Sequence, residues 1–207
     1  MQFLREPRIE KQSSAPRLAL FAGAFHPPTI AHLALARQAL QAVDEVVFAL
    51  PRSFPHKSYE GTTLDQRIHM LLNATDAPIA LFDTNYFFNM AEELQARQPQ
   101  AQVHLLLGED AAARLLTWDY GLDPASTESY ISEYLRQFPI LTTSREDQTP
   151  VPLYYREKLL WLPTPPDAIN VSSTEVRQRI ANQQPWRHLV PSAIHAEVER
   201  LYGSPAS

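Results

Sequence analysis

The sequence predicts an α/β fold: a doubly wound, Rossmann-like parallel sheet with helices on both faces, in a single domain with helices at its C-terminal end. Two observations lead to this prediction. Short apolar runs typical of buried strands alternate with amphipathic helical patterns, and such alternation gives parallel strands joined by right-handed crossovers. With 207 residues, 44% of them hydrophobic, the chain is long enough to bury one sizeable core.

The predicted strands lie at residues 18–21, 45–50, 79–82, 103–107 and 139–142, with 159–162 as a shorter sixth candidate. Periodicity predicts helices between them at about 29–43, 64–74, 89–97 and 110–117. Two short helices follow at 176–181 and 194–201, and Gly203 suits a C-terminal cap. Segment 119–137 is polar and aromatic, fits the alternation poorly, and predicts an extra helix or lid.

We divide the chain into an N-terminal extension, residues 1–17, and one domain, residues 18–203, with the insertion or lid at about 119–137. The extension mixes basic and acidic residues without an apolar centre, so it predicts neither a signal peptide nor an anchor. No apolar run approaches the length of a membrane span. The sequence therefore predicts a soluble cytoplasmic protein.

Composition argues against several classes of function. The formal net charge is −5 and the chain has no block of Lys and Arg, which argues against a nucleic-acid surface. The absence of cysteine excludes disulfides, thiolate catalysis and cysteine-ligated metal sites. No group of His, Asp and Glu has metal-site spacing, and the sequence contains no Gly-x-Gly-x-x-Gly motif.

The first candidate site is the turn after the strand at 18–21. It carries Gly23 and two prolines, and the helix that follows has Thr29 and His32 in its first turn. Backbone N–H groups at a helix N-terminus and the positive end of the helix dipole attract phosphate. Thr29 and His32 add side-chain donors, so the segment predicts an anion site. A plain helix cap with an incidental histidine is the alternative.

A second segment near the C-terminus also leads from an extended apolar stretch into a helix. Ser172 and Glu175 have the spacing of a capping box, which would stabilise this helix without any ligand. Capping alone does not require Ser172, Ser173 and Thr174 in a row with Arg177 one turn later. Three hydroxyls and a guanidinium at a helix N-terminus suit a polyphosphate.

Four segments with candidate binding residues follow predicted strands: the turn at Gly23, residues 51–57, Gly108-Glu-Asp110 and the segment at Ser172. In parallel α/β sheets, ligands bind beyond the carboxyl ends of the strands, near the point where strand order reverses. The four segments are therefore expected to face one crevice.

Six pieces of sequence occur in a fixed order: Gly23-Ala-Phe-His-Pro-Pro-Thr-Ile-Ala-His32, Pro55-His56-Lys57, Arg67 with Met70, Gly108-Glu-Asp110 with Trp118, Val171-Ser-Ser-Thr-Glu-Val-Arg177, and Trp186-Arg-His-Leu-Val-Pro191. In this order they resemble the nucleotidyltransferases with a His/Thr-x-Gly-His motif and an Ile-Ser-Ser-Thr-x-x-Arg motif. The chain is most similar to the nicotinate/nicotinamide mononucleotide adenylyltransferase family, from Leu18 to Tyr202.

The resemblance implies adenylyl transfer, in which the phosphate of a pyridine mononucleotide attacks the α-phosphorus of ATP and pyrophosphate leaves. The nucleophile is already an anion, so catalysis consists of aligning two repelling phosphates and neutralising charge on the bridging oxygens. Mg²⁺ would come with ATP, bound mainly by phosphate oxygens and water without a dedicated protein site. Neither nucleic acid nor a membrane is an implied partner, and a homo-oligomer is left open.

The resemblance also assigns roles to residues. His32 would donate to the ATP phosphates, Thr29 would position the α-phosphate, Lys57 would contact phosphate or pyrophosphate, and Arg177 would hold the β- and γ-phosphates. Further ATP-binding residues would be Gly23, Ala24, Phe25, Gly108, Asp110, Val171, Ser172, Ser173 and Thr174. The mononucleotide would contact Trp118, Tyr86 and Arg145, with the pyridine ring stacked on Trp118.

Some of these residues also have structural interpretations. Trp118 would be an ordinary core residue, Asp110 a helix N-terminal acid favoured by the dipole, and Arg145 an exposed loop residue. His104 and His69 occur in apolar patterns and predict internal histidines rather than ligands.

The sequence departs from the family pattern at Ala22 and Ala31, where glycine is usual, and at His26, where an acidic or amide residue is usual. The methyl group of Ala31 lies where backbone and nucleotide are expected to approach closely. Residues 85–90 lack the Ser-Tyr-Thr-x-Asp-Thr segment that binds the pyridine carboxylate in bacterial nicotinate enzymes, so the base is not specified. Alternatives are another phosphorylated acceptor such as phosphopantetheine, CTP in place of ATP, or a non-catalytic nucleotide-binding protein.

Overall fold

The computed structural model describes residues 1–8, 15–53, 62–144, 150–164 and 171–203. Within these residues a seven-stranded sheet forms the centre of the molecule. Its strands are β1 (Gln2–Arg5), β2 (Arg17–Ala22), β3 (Glu45–Pro51), β4 (Ile79–Phe82), β5 (Gln102–Gly108), β6 (Ile140–Thr143) and β7 (Leu160–Leu162). Neighbouring strands pair in parallel except β1, an edge strand that runs antiparallel to β4.

The α-helices in the described residues are α1 (Ile30–Ala39), α2 (Leu64–Ala74), α3 (Phe87–Arg97), α4 (Glu109–Leu116), α5 (Pro124–Gln137), α6 (Leu153–Arg156), α7 (Ser173–Ala181) and α8 (His195–Tyr202). Side chains cap α1 at Thr29, α2 at Thr63 and α5 at Asp123, each satisfying backbone N–H groups that the helix itself leaves unpaired. In this part of the chain, no helix is both long and apolar enough to cross a membrane.

The strand order is β1-β4-β3-β2-β5-β6-β7. From β2 the chain first moves outward through β3 and β4, and it then returns to the other side of β2 to form β5, β6 and β7. Strand order therefore reverses between β2 and β5, and the loops after these two strands diverge at their carboxyl ends. Doubly wound sheets bind ligands at this position.

Helices cover both faces of the sheet. On one face, Leu20 of β2 belongs to an apolar cluster with Leu94 of α3 and Leu116 of α4. On the other face, Leu35 of α1 belongs to a cluster with Phe48 of β3. All of these side chains are buried, and the doubly wound fold predicted from the alternation is confirmed.

The C-terminal helices form a third apolar cluster beside the sheet. Val176 of α7 and Val198 of α8 belong to it together with Ala31 of α1 and Met70 of α2, and all four are buried. This cluster attaches the C-terminal helices to the start of α1. It therefore brings the second predicted motif to the first.

All six predicted strands are present, with ends shifted by one residue at most. The sequence predicts no strand at residues 2–5, because the two apolar residues Phe3 and Leu4 are too few to give a pattern. Pairing with β4 forms β1 instead. Helix α1 ends at Ala39, earlier than predicted, and residues up to Val43 continue as tight turns.

The polar segment at 119–137 contains α5, which the sequence analysis left open as an extra helix or a lid. Ile131 and Leu135 of α5 are buried in the same apolar cluster as α3 and α4. Helix α5 therefore packs through an apolar face into the apolar cluster that α3 and α4 form with the sheet.

Candidate active site

The loop between β2 and α1 lies close to the neighbouring strand. The N–H of Gly23 donates to the carbonyl of Ala49 on β3 at 3.1 Å, which extends the strand pairing beyond β2. A Cβ at Gly23 would lie 3.0 Å from the ring of Phe25, closer than ordinary van der Waals contact. Phe25 itself has a φ of 47°, in the left-handed region that residues with side chains rarely adopt. Gly23 and the buried ring of Phe25 together fix this turn.

Thr29 and His32 cap the N-terminus of α1 reciprocally. The Thr29 hydroxyl accepts from the N–H of His32 at 3.4 Å, and the N–H of Thr29 donates to Nδ1 of His32 at 3.0 Å. Because an amide N–H can only donate, Nδ1 is the acceptor nitrogen and the proton of the neutral ring sits on Nε2. The cap therefore fixes the ring as an Nε2–H donor.

Aromatic packing also orients the imidazole of His32. The ring centroid of Phe25 lies 5.1 Å from that of His32 in an edge-on arrangement, and that of Phe21 lies at 6.0 Å. Phe21, Phe25 and Phe48 contact one another at centroid distances of 5.3 to 5.5 Å. The imidazole thus lies at the edge of an aromatic cluster, and its position is set by the cap and by packing.

The N-terminus of α7 contacts this loop directly. The hydroxyl of Ser173 donates to the carbonyl of Pro27 at 2.8 Å, and Nη1 of Arg177 donates to the carbonyl of His26 at 2.7 Å. These pairs are 146 and 151 residues apart in the sequence. Nη2 of Arg177 also donates to the Thr174 hydroxyl at 3.2 Å. The structure therefore brings the two motifs together, as the sequence analysis expected.

Ser172 is the N-cap of α7, and its hydroxyl accepts from the N–H of Glu175 at 3.1 Å. The carboxylate of Glu175 pairs with Arg179 at 2.8 Å. The predicted cap is thus confirmed, but Glu175 binds Arg179, one turn further along α7. Val171, just before the cap, is buried in the third apolar cluster.

Two polar side chains at this loop, His26 within it and Arg67 of α2 beside it, are buried. Arg67 of α2 is 3% exposed and donates from Nη1 to the carbonyl of Ala24 at 3.2 Å. Burial, followed by the positive charges of Arg177 and Arg67, lowers the pKa of His26 from its ordinary 6.5 to about 4. Arg67 belongs to one of the six motif segments, but the sequence predicts no role for it. An arginine one turn before Met70, on the apolar face of α2, was the available signal.

Two departures from the family pattern have plain positions in the fold. Ala31 is buried in the apolar cluster that α1 shares with α7 and α8, so its methyl group fills the protein interior rather than the crevice. Ala22 is partly exposed at the end of β2.

The loop after β5 lies on the other side of the point between β2 and β5 where strand order reverses. Gly108 is the N-cap of α4, and Asp110 in the first turn pairs with Arg114 one turn later at 3.3 Å. Glu109, which the sequence analysis gave no role, is buried and lies 3.6 Å from the guanidinium of Arg156. This arrangement fits the interpretation of Asp110 as an acidic residue in the first turn of α4. The contact of Asp110 with ribose stays a prediction.

Trp118 and Tyr86 are exposed aromatic residues. Trp118 follows α4 and is 54% exposed, so its interpretation as a core residue is wrong. Tyr86 is 59% exposed and occupies the N-cap position of α3 without a side-chain cap. Both rings are accessible for stacking, which is what the predicted contact with a pyridine ring requires.

Four predicted residues remain to be placed. Lys57 and Arg145 lie outside the described residues. His104 is buried as expected, whereas His69 is exposed and pairs with Glu197 at 2.7 Å, so the prediction that it is internal is wrong. Across the described ranges, no group of three or more His, Cys, Asp or Glu could hold a metal ion.

Comparison with known proteins agrees with this geometry. The model of the cytidylyltransferase-like family matches residues 20–179. The chain belongs to this family. The matched region runs from β2 into α7, and it therefore includes His32 and Arg177 together with the loops after β2 and β5.

Curated relatives share about a quarter of the sequence. The probable nicotinate-nucleotide adenylyltransferase of Lactiplantibacillus plantarum is 27% identical over 195 residues, covering 88% of this chain and 85% of the relative. The protein of the same name from Carboxydothermus hydrogenoformans is 26% identical over 200 residues, covering 86% and 93%. The resemblance that the motifs predicted is confirmed.

Solved structures show the same fold. The nicotinic acid mononucleotide adenylyltransferase of Plasmodium falciparum complexed with NaAD aligns with a TM-score of 0.66 and 15% identity, covering 90% of this chain and 98% of that one. The same protein complexed with APC gives a TM-score of 0.66 with 16% identity, covering 90% and 97%. At these identities the similarity concerns the fold.

Proposed function

We propose that this protein transfers the adenylyl group of ATP to nicotinate or nicotinamide mononucleotide and releases pyrophosphate. The observation that carries the proposal is the junction of two helix N-termini at the switch point of the sheet. Ser173 and Arg177 of α7 bind the loop that leads into α1, where His32 is fixed as a donor. Relatives named nicotinate-nucleotide adenylyltransferase in the same family support this reaction.

The junction suits the chemistry of phosphate attack on ATP. The attacking phosphate is already an anion, so the protein must bring two negative groups together and stabilise the charge that develops on the oxygens. The backbone N–H groups at the starts of α1 and α7 and the guanidinium of Arg177 supply positive charge there. In this proposal they hold the triphosphate of ATP.

His32 contributes a hydrogen-bond donor of defined direction. Both donor groups of Thr29 contact Nδ1, the backbone N–H at 3.0 Å and the hydroxyl at 2.7 Å. The Nε2–H is thereby directed away from α1's own cap, and we assign it to an oxygen of the ATP phosphates. Thr29 acts in this proposal by fixing the imidazole in addition to any contact of its own with the α-phosphate.

ATP would bring Mg²⁺ to the site. The ion would be held mainly by phosphate oxygens and water, without a dedicated protein site. The ion would supply further charge neutralisation on the phosphates. The protein's own contribution is then the positioning of ATP by α1, α7 and Arg177.

The acceptor would bind at Tyr86 and Trp118. The electron-poor pyridine ring stacks well on indole, and Trp118 is available for this contact. Because residues 85–90 lack the Ser/Thr groups expected to bind a pyridine carboxylate, stacking would carry more of the recognition. We therefore propose weaker discrimination between the acid and amide forms than in the bacterial nicotinate enzymes.

Pyrophosphate release from ATP in the presence of each acceptor tests the proposed function. Nicotinate mononucleotide, nicotinamide mononucleotide and phosphopantetheine would each be assayed with ATP and with CTP. The proposal predicts release with ATP and at least one pyridine mononucleotide. Release with phosphopantetheine alone, or with CTP alone, would replace it. ATP binding without release under any condition would indicate a non-catalytic nucleotide-binding protein.

A further inference from the structure

Four aromatic rings connect α5 to the segments that carry Tyr86 and Trp118, and we call Phe88, Tyr120, Tyr130 and Tyr134 the aromatic bridge. Phe88 of α3 stacks on Tyr134 at a centroid distance of 4.3 Å and contacts Tyr130 edge-on at 6.2 Å. Tyr130 contacts Tyr134 at 4.7 Å and Tyr120 at 5.0 Å. Tyr130 is the member that touches all three others.

Two members of the aromatic bridge, Phe88 and Tyr120, lie close in sequence to the exposed residues Tyr86 and Trp118. Phe88 follows Tyr86 by two residues at the start of α3, and Tyr120 follows Trp118 by two residues after α4. Tyr130 contacts both Phe88 and Tyr120. The relative position of the two segments therefore depends on a side chain of α5, a helix that supplies neither exposed ring.

The aromatic bridge is anchored in the protein. The hydroxyl of Tyr120 donates to the carbonyl of Leu115 at 2.8 Å, and burial raises the pKa of Tyr120, so this hydroxyl stays protonated as the donor. The hydroxyl of Tyr134 lies 2.8 Å from Glu92 of α3. Ile131, next to Tyr130 in α5, is fully buried in the core. Tyr120 and Tyr134 are thus tied to the fold by hydrogen bonds outside the bridge, and Phe88 and Tyr130 by packing in the first apolar cluster.

We propose that Tyr130 is a positioning residue for the acceptor site, and that it sets the spacing between Tyr86 and Trp118. The inference rests on the proposed function, in which these two rings contact the pyridine mononucleotide. Tyr130 itself needs no contact with the substrate. Its ring contacts Phe88 at the start of α3 and Tyr120 after α4, and so holds in place the two segments that carry Tyr86 and Trp118.

Physical considerations favour an effect on acceptor binding in particular. Aromatic side chains have few rotatable bonds and pack closely, so rings in mutual contact hold the segments that carry them in a fixed relative position. Displacement of binding groups by about 1 Å is enough to reduce rates strongly. The ATP-binding junction of α1 and α7 involves none of the four bridge residues. Loss of the Tyr130 ring should therefore affect the acceptor and spare ATP.

The test compares Tyr130→Ala with Tyr134→Ala. Both changes remove a ring that packs α5 on Phe88, but only the first removes the contact with Tyr120. For Tyr130→Ala, we expect KM for the mononucleotide to rise on the order of tenfold, with KM for ATP within about twofold of wild type. Tyr134→Ala should lower the unfolding temperature comparably and leave the mononucleotide KM near wild type. Tyr130→Phe, which keeps the ring, should restore acceptor binding.

A second measurement follows binding without turnover. Nicotinate mononucleotide should quench tryptophan fluorescence in the wild type and not in Trp118→Phe, and the concentration for half-quenching should rise in Tyr130→Ala. Equal mononucleotide KM values in the two alanine variants, or equal increases in KM for both substrates, would overturn the positioning role while leaving the proposed function intact. A wild-type protein that transfers no adenylyl group to either mononucleotide would overturn the proposed function and this inference with it.

Discussion

The backbone N–H and the hydroxyl of Thr29 both contact Nδ1 of His32, at 3.0 and 2.7 Å. A helix N3 residue usually completes a capping box with a carboxylate or amide oxygen, and here an imidazole nitrogen does so. The same hydrogen bonds that stabilise α1 therefore choose the tautomer of His32. Under the proposed function, stability and catalysis are coupled at this pair, and suitable substitutions should separate them.

His32→Gln should separate capping from catalysis. Glutamine can complete the capping box with its side-chain oxygen, so the free energy of unfolding should stay within about 0.5 kcal/mol of wild type. The directed Nε2–H is lost, and turnover should fall by roughly 10²-fold or more. Steady-state kinetics and chemical denaturation measure the two quantities.

Thr29→Val is the complementary control, because it keeps the shape of Thr29 and removes the hydroxyl that contacts Nδ1. It should reduce turnover less than His32→Gln, since the backbone N–H still holds the ring. Unchanged turnover in folded His32→Gln protein would remove His32 from the mechanism.

Ser172 and Ser173 should respond differently to substitution by alanine. Ser172 caps α7, so Ser172→Ala should cost about 1 kcal/mol of unfolding free energy and, if its hydroxyl also binds phosphate, raise KM for ATP. Ser173 binds the carbonyl of Pro27, so Ser173→Ala should raise KM for ATP through a loosened junction, with a smaller loss of stability. If Ser172→Ala loses stability while its ATP kinetics stay unchanged, Ser172 only caps α7 and does not bind ATP.

Trp118→Ala should act on the acceptor and not on the fold. The side chain is 54% exposed, so we expect a change in unfolding free energy below about 0.5 kcal/mol. Loss of stacking should weaken mononucleotide binding by about 1–3 kcal/mol, with little effect on KM for ATP, and Trp118→Phe should recover part of it. Equal effects on the two substrates would argue against a stacking site at Trp118.

His26 predicts a pH dependence of stability. Its pKa is about 4 in the folded protein against an ordinary 6.5, so between these values the unfolded chain binds a proton that the folded protein does not. Stability should therefore fall as the pH falls from about 6.5 towards 4. His26→Asn removes the titrating group, and its unfolding temperature should decline less steeply from pH 7 to pH 5. Parallel pH profiles for the two proteins would contradict this assignment.

Much of the fold is predictable because its signals are local. Apolar runs identify β2 to β6, since each of these strands buries most of its own residues, whereas β7 at the sheet edge has no buried residue and gives only a short apolar run. Strand β1 gives no such signal, because it lies at the edge of the sheet against β4 and none of its residues is buried. The interpretation of segment 119–137 stayed open for a related reason. The aromatic and apolar residues that pack α5 have partners on α3, far away in sequence.

In the candidate site, too, the features with local signals were predictable and the long-range contacts were not. Thr29, His32 and Ser172 were predictable because caps and their helices are adjacent in sequence. The contact between Arg177 and the carbonyl of His26 joins residues 151 positions apart, and no local pattern reports a partner at that distance. Arg67 under Ala24 and Glu109 beside Arg156 are likewise products of tertiary packing.

Identification of the product formed from ATP and nicotinate or nicotinamide mononucleotide tests the central claim most directly. Wild-type protein and His32→Gln would be incubated with Mg²⁺ and each pair of substrates, and the products separated and weighed by mass spectrometry. The account predicts a dinucleotide that joins the two mononucleotide units through a pyrophosphate, together with free pyrophosphate, at a rate at least about 10²-fold lower in the variant. No dinucleotide with either acceptor, from folded protein that binds ATP, would contradict it.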